Sequence, residues 1–222
     1  MTKLTVDDIV DSLGYDNITM IGHTAENRYL KDAVRKYIQE KLSVAHYLNL
    51  HELKKQKLID IGTGAGWFPY ICKMYGHECI GTDFLGRKEY DPVYKFLDID
   101  VREELIHANT PFGLEDKVDY IVSLRAFFPN RPKIWTMPQW KYFFKDIIKN
   151  INNNGGMYLG CNKGRRGQYA KMPQWQTSHW GPKDVGDMLD PFCVTPDKSL
   201  FIKPNTVYLK YTDIVKLGET ND

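Results

Sequence analysis

Long apolar runs are missing from this sequence. No stretch approaches the roughly 18 to 20 apolar residues that a helix needs to cross a bilayer. The amino terminus carries acidic side chains where a secretory signal would have an apolar segment. We therefore expect no membrane span, no membrane partner and a cytoplasmic location.

Clusters of cysteine and histidine are missing as well. The four cysteines form no CxxC pair, and the six histidines form no HxxxH set. Structural zinc sites and disulfide frameworks depend on such spacings. We therefore expect free thiols in a reducing compartment and no metal among the structural or functional residues.

Acidic side chains are absent from two stretches, residues 125–145 and 162–183, each of which carries five Lys or Arg residues. Together the stretches hold +10, so the rest of the chain, whose total is +2, holds −8. Four of the five tryptophans fall in them: Trp135, Trp140, Trp175 and Trp180. Basic groups interleaved with aromatic side chains are typical of sites for anionic, stackable or sugar-like molecules. The alternative is that these basic stretches are simply solvated.

The size and composition of the chain are those of one globular domain. It has 222 residues, of which 42% are hydrophobic and 26% are charged. Residues 30–42 carry an apolar helix face. We expect an N-terminal helical region over residues 1–56, packed on a core domain over residues 57–222.

Residues 57–86 form the most informative pattern, which reads as strand, glycine loop, helix and strand. Residues 58–61 are a short apolar run typical of a buried strand. Gly62, Gly64 and Gly66 follow, and glycines there let the backbone turn sharply and let a ligand come close. A helix begins near Trp67, and residues 79–82 predict the second strand. This pattern is half of a nucleotide-binding α/β domain.

Two carboxylates flank the loop and bear on which nucleotide it binds. Asp60 stands two residues before the first glycine, and Asp83 ends the second strand. A carboxylate about 20 residues after a glycine loop can hold a ribose, as in dinucleotide-binding domains. Those domains use GxGxxG and place a pyrophosphate at a helix N-terminus, whereas this loop is GxGxG. Asp60 suits a cationic ligand better, which leaves a nicotinamide or flavin domain as the lesser alternative.

The remaining apolar patterns predict further elements. We expect a third strand over residues 94–100, a fourth over 119–124, a fifth over 157–161 and a terminal hairpin over 200–203 and 206–211. An apolar stripe from Trp140 to Ile151 predicts a core helix between the fourth and fifth strands. Asp98 and Asp100 lie on the same face of the predicted third strand, and both stay open as the acidic residue of that strand.

The sequence DIGTGAG followed by GTDF closely resembles class I S-adenosylmethionine-dependent methyltransferases. The resemblance implies the Rossmann-like methyltransferase fold of the α/β class. That fold is a doubly wound, mostly parallel sheet of seven strands in the order 3-2-1-4-5-7-6, with strand 7 antiparallel and helices flanking the sheet. It also implies S-adenosyl-L-methionine as the cofactor.

By this resemblance, the strand ends supply the cofactor site. Asp60 would address the methionine amine, and the glycines would let the backbone follow the methionine and the ribose. Asp83 would hold both ribose hydroxyls, and Phe84 would contact the adenine. Asp100, with the amide of Val101, would read the adenine edge. The full set of cofactor candidates is Asp60, Gly62, Thr63, Gly64, Gly66, Asp83, Phe84, Asp100, Val101 and Ser123.

Both basic stretches begin where strands four and five end, the side from which an acceptor would approach. We predict methyl transfer to an oxygen or nitrogen of a small anionic acceptor, such as a nucleotide, a sugar, or a carboxylated or phosphorylated metabolite. The catalytic candidates are His179, Arg125 and Asn130. The acceptor-binding candidates are Arg131, Asn162, Lys163, Arg165 and Trp180.

The ends of strands four and five read SLR and CNK and carry no carboxylate. Metal-dependent O-methyltransferases hold Mg²⁺ there through oxygen ligands, so we expect a metal-independent reaction. Two alternatives stay open: a methyltransferase of RNA or another nucleic acid, and an S-adenosylmethionine-binding protein without catalysis. The net charge of only +2 argues against the first, and the lack of a compelling general base keeps the second.

Overall fold

The computed structural model describes residues 1–14, 33–84, 90–126, 134–161, 177–178, 181–195 and 206–219. These residues belong to two compact units. The first unit contains the described residues up to Glu104, and the second contains those from Leu105 onward. Each unit has its own buried apolar residues and its own strands.

The first unit alternates helices and strands. Its helices are α1 (Val6–Leu13), α2 (Ala33–Tyr47), α3 (Trp67–Met74) and α4 (Asp91–Leu97), with a 3-10 turn at Leu50–Glu52. Its strands are β1 (Lys57–Ile61), β2 (Glu78–Asp83) and β3 (Val101–Glu103), which are parallel and lie in the order β3-β2-β1. Their carboxyl ends therefore share one edge, where the glycine loop leaves β1.

The amino-terminal helices pack within this first unit. A capping box between Thr5 and Asp8 starts α1, because each side chain bonds to the other residue's backbone N–H. Helix α2 contacts both α1 and α3. The two helices bury apolar residues at the predicted spacing: Ile9, Leu13, Val34, Ile38 and Leu42. The start of the predicted apolar face, before residue 33, lies outside the described residues.

The predicted third strand is wrong, because residues 91–97 form α4 and β3 follows that helix. Asp91-Pro92 begins the helix, with the proline in the first turn, where its missing N–H is not needed. Asp98 ends the helix in the left-handed conformation, with a φ of 49°. Val93 and Leu97, four residues apart, are the buried side chains. The short run therefore follows the helical period and not the alternation of a strand.

The described part of the second unit contains two long strands and three α-helices. Its elements are β4 (Val118–Ala126), α5 (Met137–Asn150), β5 (Ile151–Cys161), β6 (Thr177–Ser178), β7 (Gly181–Pro182), α6 (Lys183–Leu189), a 3-10 turn at Asp190–Phe192, β8 (Thr206–Lys210) and α7 (Tyr211–Glu219). β4 and β5 are parallel, β8 is antiparallel to β5, and β6 and β7 form a separate short ladder. Helix α7 packs on α5 and on β5.

Strand β5 starts at Ile151, six residues earlier than predicted. Asn150 ends α5 by donating from its side-chain amide to the Asp146 carbonyl at 2.8 Å. Asn152 then donates to the Asp119 carboxylate, also at 2.8 Å. The Asn- and Gly-rich stretch is therefore the irregular start of β5, where the register against β4 shifts. The predicted apolar stripe of the core helix extends to Ile151, one residue beyond the end of α5 at Asn150.

The described strands form a Rossmann-like, mostly parallel sheet of six strands with flanking helices. The order 3-2-1 in the first unit and the antiparallel last strand beside β5 agree with the prediction. The predicted strand at residues 200–203 lies outside the described residues, so neither the count of seven strands nor their complete order is confirmed. None of the described helices is long and apolar enough to cross a membrane.

Candidate functional site

The glycine loop leaves β1 as a tight turn held against β2. The N–H groups of Gly62 and Thr63 both donate to the Thr82 carbonyl, at 2.8 and 2.9 Å. Gly62, Gly64 and Gly66 all have positive φ, at 72°, 57° and 81°. Side chains with a Cβ rarely adopt this conformation, which explains the glycine at every second position.

The two later glycines serve different purposes. A Cβ on Gly64 would meet nothing within 4 Å, so space lies open beside this residue. A Cβ on Gly66 would overlap the Ile99 side chain and press against Tyr94. Gly66 therefore permits packing against α4 and the segment after it, whereas Gly64 leaves room for a ligand to approach the backbone.

Tyr94 is a site residue that sequence reasoning missed. Its hydroxyl donates to the Gly64 carbonyl at 2.5 Å and so fixes the orientation of that peptide. The sequence pattern had placed Tyr94 on a strand. The signal that could have found it is Asp91-Pro92, which is typical of a helix start and puts Tyr94 one turn into α4.

Asp83 ends β2 with both carboxylate oxygens oriented by the backbone. Oδ2 accepts from the Gly64 N–H and Oδ1 accepts from the Phe84 N–H, each at 2.9 Å. A carboxylate has about four lone-pair sites, so each oxygen keeps capacity for a ligand. The side chain is thus held as a fixed two-oxygen acceptor, which suits a pair of neighbouring hydroxyls.

Asp60 is fully buried in β1. Its Oδ2 accepts from the Thr63 hydroxyl at 2.8 Å, while its Oδ1 has no hydrogen-bond partner. Burial raises the pKa of Asp60 to about 6, and the Lys41 ammonium and the Thr63 hydroxyl oppose that rise. A buried carboxylate oxygen without a donor is destabilising. Oδ1 therefore keeps unused acceptor capacity inside the first unit.

The carboxyl end of β3 adjoins Asp83. Asp83 pairs in register with Glu103, and the Glu104 N–H donates to the Asp83 carbonyl at 2.8 Å. Asp100 comes before β3, with its carbonyl accepting from the Gly81 N–H at 2.9 Å. At about 3.3 Å per residue, Asp100 is about 10 Å from Glu103 along the strand.

The residues predicted to contact the adenine therefore do not lie together: Phe84 is beside Asp83, whereas Asp100 and Val101 are at the other end of β3. Phe84 follows Asp83 directly and is 38% exposed. Val101 is the first residue of β3 and pairs with Gly81, so it lies with Asp100 at the amino end of that strand. The premise that Asp100 ends the third strand is wrong, because the strand starts later in the chain than predicted.

In the second unit, Ser123 and Arg125 both lie on β4. Ser123 is fully buried, and its hydroxyl has no hydrogen-bond partner. Arg125 has a positive φ of 62°, at the point where the register against β5 shifts between Leu124 and Ala126. A left-handed residue other than glycine costs about 1 to 3 kcal/mol, and such strain concentrates at functional sites. Arg125 is thus strained at the carboxyl end of β4.

The remaining acceptor-side candidates lie outside the described residues: Asn130, Arg131, Asn162, Lys163, Arg165, Trp175, His179 and Trp180. Trp135 and Trp140, which fall in the first basic stretch, do not form an exposed aromatic surface, whereas the prediction that Trp140 begins a core stripe is confirmed. Both are buried in the core of the second unit, edge to face with ring centroids 5.5 Å apart. They pack with Phe143, and Trp140 also stacks on Phe144.

Among the described residues, neither a reactive thiol nor a group of metal ligands belongs to the site. Cys72, Cys79 and Cys193 are free thiols. Burial raises the pKa of the Cys79 thiol, and a buried thiol of this kind is a poor nucleophile. Among the described residues, no three His, Cys, Asp or Glu side chains are grouped so that they could hold a metal ion.

No protein-family model matches the sequence, and no curated protein matches it. The PH0226 protein from Pyrococcus horikoshii has a similar structure, with 13% identity and a TM-score of 0.49 over 93% of this chain and 90% of that one. DesVI from Streptomyces venezuelae aligns with 14% identity and a TM-score of 0.44, over 67% of this chain and 58% of that one. A TehB-like methyltransferase from Corynebacterium glutamicum aligns with 18% identity and a TM-score of 0.42, over 57% and 65%.

The chain thus spans less than two thirds of the length of DesVI and of the TehB-like protein. At identities this low and TM-scores below 0.5, these alignments carry no conclusion about this chain, so its activity has to be inferred from its own residues.

Proposed function

We propose that the chain is an S-adenosylmethionine-dependent methyltransferase whose cofactor site is the glycine loop with Asp60 and Asp83. The observation that carries the proposal is the state of these two carboxylates. Asp83 is bonded to Gly64 and Asp60 to Thr63, so both lie against the loop, and both retain acceptor capacity. A ligand with a ribose diol and a cationic amine supplies the donors that these acceptors lack.

The N–H groups of the loop support a cationic ligand over a phosphate. Gly62, Thr63, Gly64 and Gly66 each donate their N–H to a carbonyl or carboxylate of the protein. A phosphate-binding loop keeps such donors free to face the anion. Because these donors are occupied and two carboxylates lie beside them, the loop suits a dinucleotide pyrophosphate poorly.

At the adenine end of the proposed cofactor site, Glu103 and Glu104 take the place of Asp100 and Val101. Glu103 and Glu104 adjoin Asp83, so we assign them the contact with the adenine amino group that the sequence had suggested for Asp100. A carboxylate accepts a hydrogen bond from an amino group at either position. Phe84, partly exposed beside Asp83, would contact the face of the base.

The bound cofactor would supply an electrophilic methyl group on a sulfonium, so the protein mainly has to orient the reactants. Asp83 would fix the ribose, and Asp60 would fix the amino-acid end. Tyr94, through its bond to the Gly64 carbonyl, would keep the loop in the shape that admits the ligand. Ser123, in the second unit, is the one further cofactor candidate.

The acceptor side of the proposal starts from Arg125. A guanidinium suits a carboxylate or phosphate through paired hydrogen bonds, and the strained backbone of Arg125 is a mark of a functional residue. We propose a small anionic acceptor that is methylated on oxygen or nitrogen without a metal ion. Residues outside the described part would complete the site: Asn130, Arg131, Asn162, Lys163, Arg165 and Trp180 for binding, and His179 as a base where the acceptor must lose a proton.

Radiolabelled methyl transfer into a cell extract, followed by size fractionation, tests this function. Label in acid-soluble small molecules is the expected result. Label in RNA would favour the nucleic-acid alternative, and no label despite cofactor binding would favour a protein without catalysis. The variant Arg125→Gly removes the guanidinium while suiting the positive φ, so it should keep its fold and cofactor affinity but lose transfer. Lys117→Ala, at an exposed position of the same unit, is the control and should keep full transfer.

A further inference from the structure

The side chain of Tyr94 contacts two glycines of the loop from α4. Its hydroxyl donates to the Gly64 carbonyl at 2.5 Å. Its ring lies beside Gly66, where an added Cβ would be 3.4 Å from Tyr94 Cδ1. The contact of the ring with one glycine therefore holds the hydroxyl in place over the other.

Gly64 is a loop residue that side-chain packing does not hold. A Cβ at this position would meet nothing within 4 Å, and glycine can leave its φ of 57° for many other conformations. Two hydrogen bonds hold the residue instead. Its N–H donates to Asp83 Oδ2 at 2.9 Å, and its carbonyl accepts from the Tyr94 hydroxyl. Because both bonds act on one flexible residue, loss of the bond at the carbonyl weakens the bond at the N–H.

The orientation of the Asp83 carboxylate depends on the Gly64 N–H. The other bond to this carboxylate comes from the N–H of the adjacent residue, Phe84, which donates to Oδ1 at 2.9 Å. The terminal torsion of an aspartate side chain has broad minima, so a single local bond leaves the carboxylate free to turn. Two neighbouring hydroxyls of a ligand need both oxygens in set directions. Whatever fixes Gly64 therefore bears on how Asp83 receives a diol.

We propose that Tyr94 is a positioning residue for ribose binding. Through Gly64, its hydroxyl keeps Asp83 in the orientation that accepts from both ribose hydroxyls. This role rests on the proposed function, and it makes α4 a determinant of ribose selectivity although Tyr94 itself bonds to the loop and not to the ligand.

Helix α4 has other anchors, so the role of the Tyr94 hydroxyl can be tested apart from the docking of the helix. Val93 and Leu97 are buried. The Lys73 ammonium, from α3, donates to the Asp98 carbonyl at 2.8 Å at the end of the helix. The variant Tyr94→Phe keeps these anchors and the aromatic ring, and it removes only the hydroxyl.

Calorimetric titration of S-adenosylmethionine into wild type, Tyr94→Phe, Asp83→Ala and the double variant tests the proposal. We expect Tyr94→Phe to weaken binding about 10-fold, as for one hydrogen bond, and Asp83→Ala to weaken it about 100-fold. Because Tyr94 acts through Asp83, the double variant should match Asp83→Ala within about threefold. Tyr70→Phe is the control and should bind as wild type, since it removes a hydroxyl that lies 3.1 Å from the Ser12 hydroxyl.

Titration of the 2′-deoxy form of the cofactor gives a readout that a purely structural hydroxyl would not change. This ligand lacks one of the two hydroxyls that Asp83 would hold. Wild type and Tyr70→Phe should prefer the ribose form by at least about 10-fold, as for a hydrogen bond to a charged group. In Tyr94→Phe the preference should fall to about threefold or less.

Other results separate the possible failures. Unchanged affinity in Tyr94→Phe, or additive weakening to about 1,000-fold in the double variant, would overturn the role of Tyr94. An equal loss for both ligands in Tyr94→Phe, or failure of that variant to fold, would reduce the hydroxyl to a structural part. Failure of folded wild type to bind S-adenosylmethionine would instead contradict the proposed function.

Discussion

At the scale of single residues, Asp60 makes cofactor affinity depend on pH. Burial raises its pKa to about 6, and only the ionised form carries the negative charge that attracts a cationic amine. We expect the affinity for S-adenosylmethionine to rise with pH through about 6 and then to level off. Calorimetry between about pH 5 and pH 8 measures this, and Asp60→Asn should bind weakly with a flat profile over that range.

Asp60 also makes the stability of the free protein depend on pH. Stability falls as pH rises, whereas the cofactor affinity rises. The pKa of Asp60 in the folded protein lies above the ordinary value of 3.8 for this side chain, so the folded state holds the proton more tightly than the unfolded chain does. The free protein therefore loses stability as pH rises from about 4 to about 6. A bound cationic amine favours the ionised carboxylate, so binding below about pH 6 should release a proton. Titrations in buffers of different ionisation enthalpy detect that release, and its absence would contradict the assignment of Asp60 to the amine.

At the scale of elements, the glycine loop packs against α4 and the segment after it. The roles of two loop glycines, Gly64 and Gly66, can be distinguished by experiment. We expect Gly66→Ala to lower the free energy of unfolding by more than the roughly 1 to 3 kcal/mol of a left-handed residue, because its Cβ would overlap Ile99. Gly64→Ala should cost only that backbone strain, while its Cβ enters the open space and weakens cofactor binding by at least about 10-fold.

Urea unfolding and calorimetry on the two variants measure the difference. Gly113→Ala is the control, because a Cβ there meets nothing within 4 Å and its φ is not positive. It should change neither stability nor affinity appreciably. A Gly64→Ala protein with wild-type affinity would show that the open space beside this glycine is not the ligand site.

The elements also show what the sequence could and could not predict. The GxGxG loop and Asp83 were found because a tight turn needs glycine locally, whatever packs around it. Strand β3 was misplaced because residues 94–100 satisfy both a strand and a helix pattern. Pro92, and the packing of Ile99 on Gly66, favour the helix. Packing of that kind links distant parts of the chain and leaves no local signature.

Side chains that bond to a different element could not be predicted from the sequence, because their contacts depend on how the elements pack. Tyr94 reaches the Gly64 carbonyl only because α4 docks beside the loop. Trp135 was grouped with the acceptor side because of its basic neighbours, whereas its ring packs edge to face on Trp140 in the core.

At the scale of the whole molecule, most of the proposed cofactor residues belong to the first unit, and the proposed acceptor residue Arg125 belongs to the second. The first unit contains α1, α2 and the glycine loop with its carboxylates, so the amino-terminal helices belong with the cofactor residues. The second unit contains Arg125 at the end of β4 and the basic stretch that begins there. The sequence separated an acidic cofactor side from basic acceptor stretches by charge alone.

The measurement that tests the central claim most directly is calorimetric titration of S-adenosylmethionine into wild type, Asp83→Ala and the exposed control Glu115→Ala. We predict one site in wild type and in Glu115→Ala. Affinity should be about 100-fold weaker in Asp83→Ala, because two hydrogen bonds to a charged acceptor are lost. No binding heat from folded wild type at millimolar cofactor, or equal affinity in wild type and a folded Asp83→Ala protein, would contradict the proposed cofactor site.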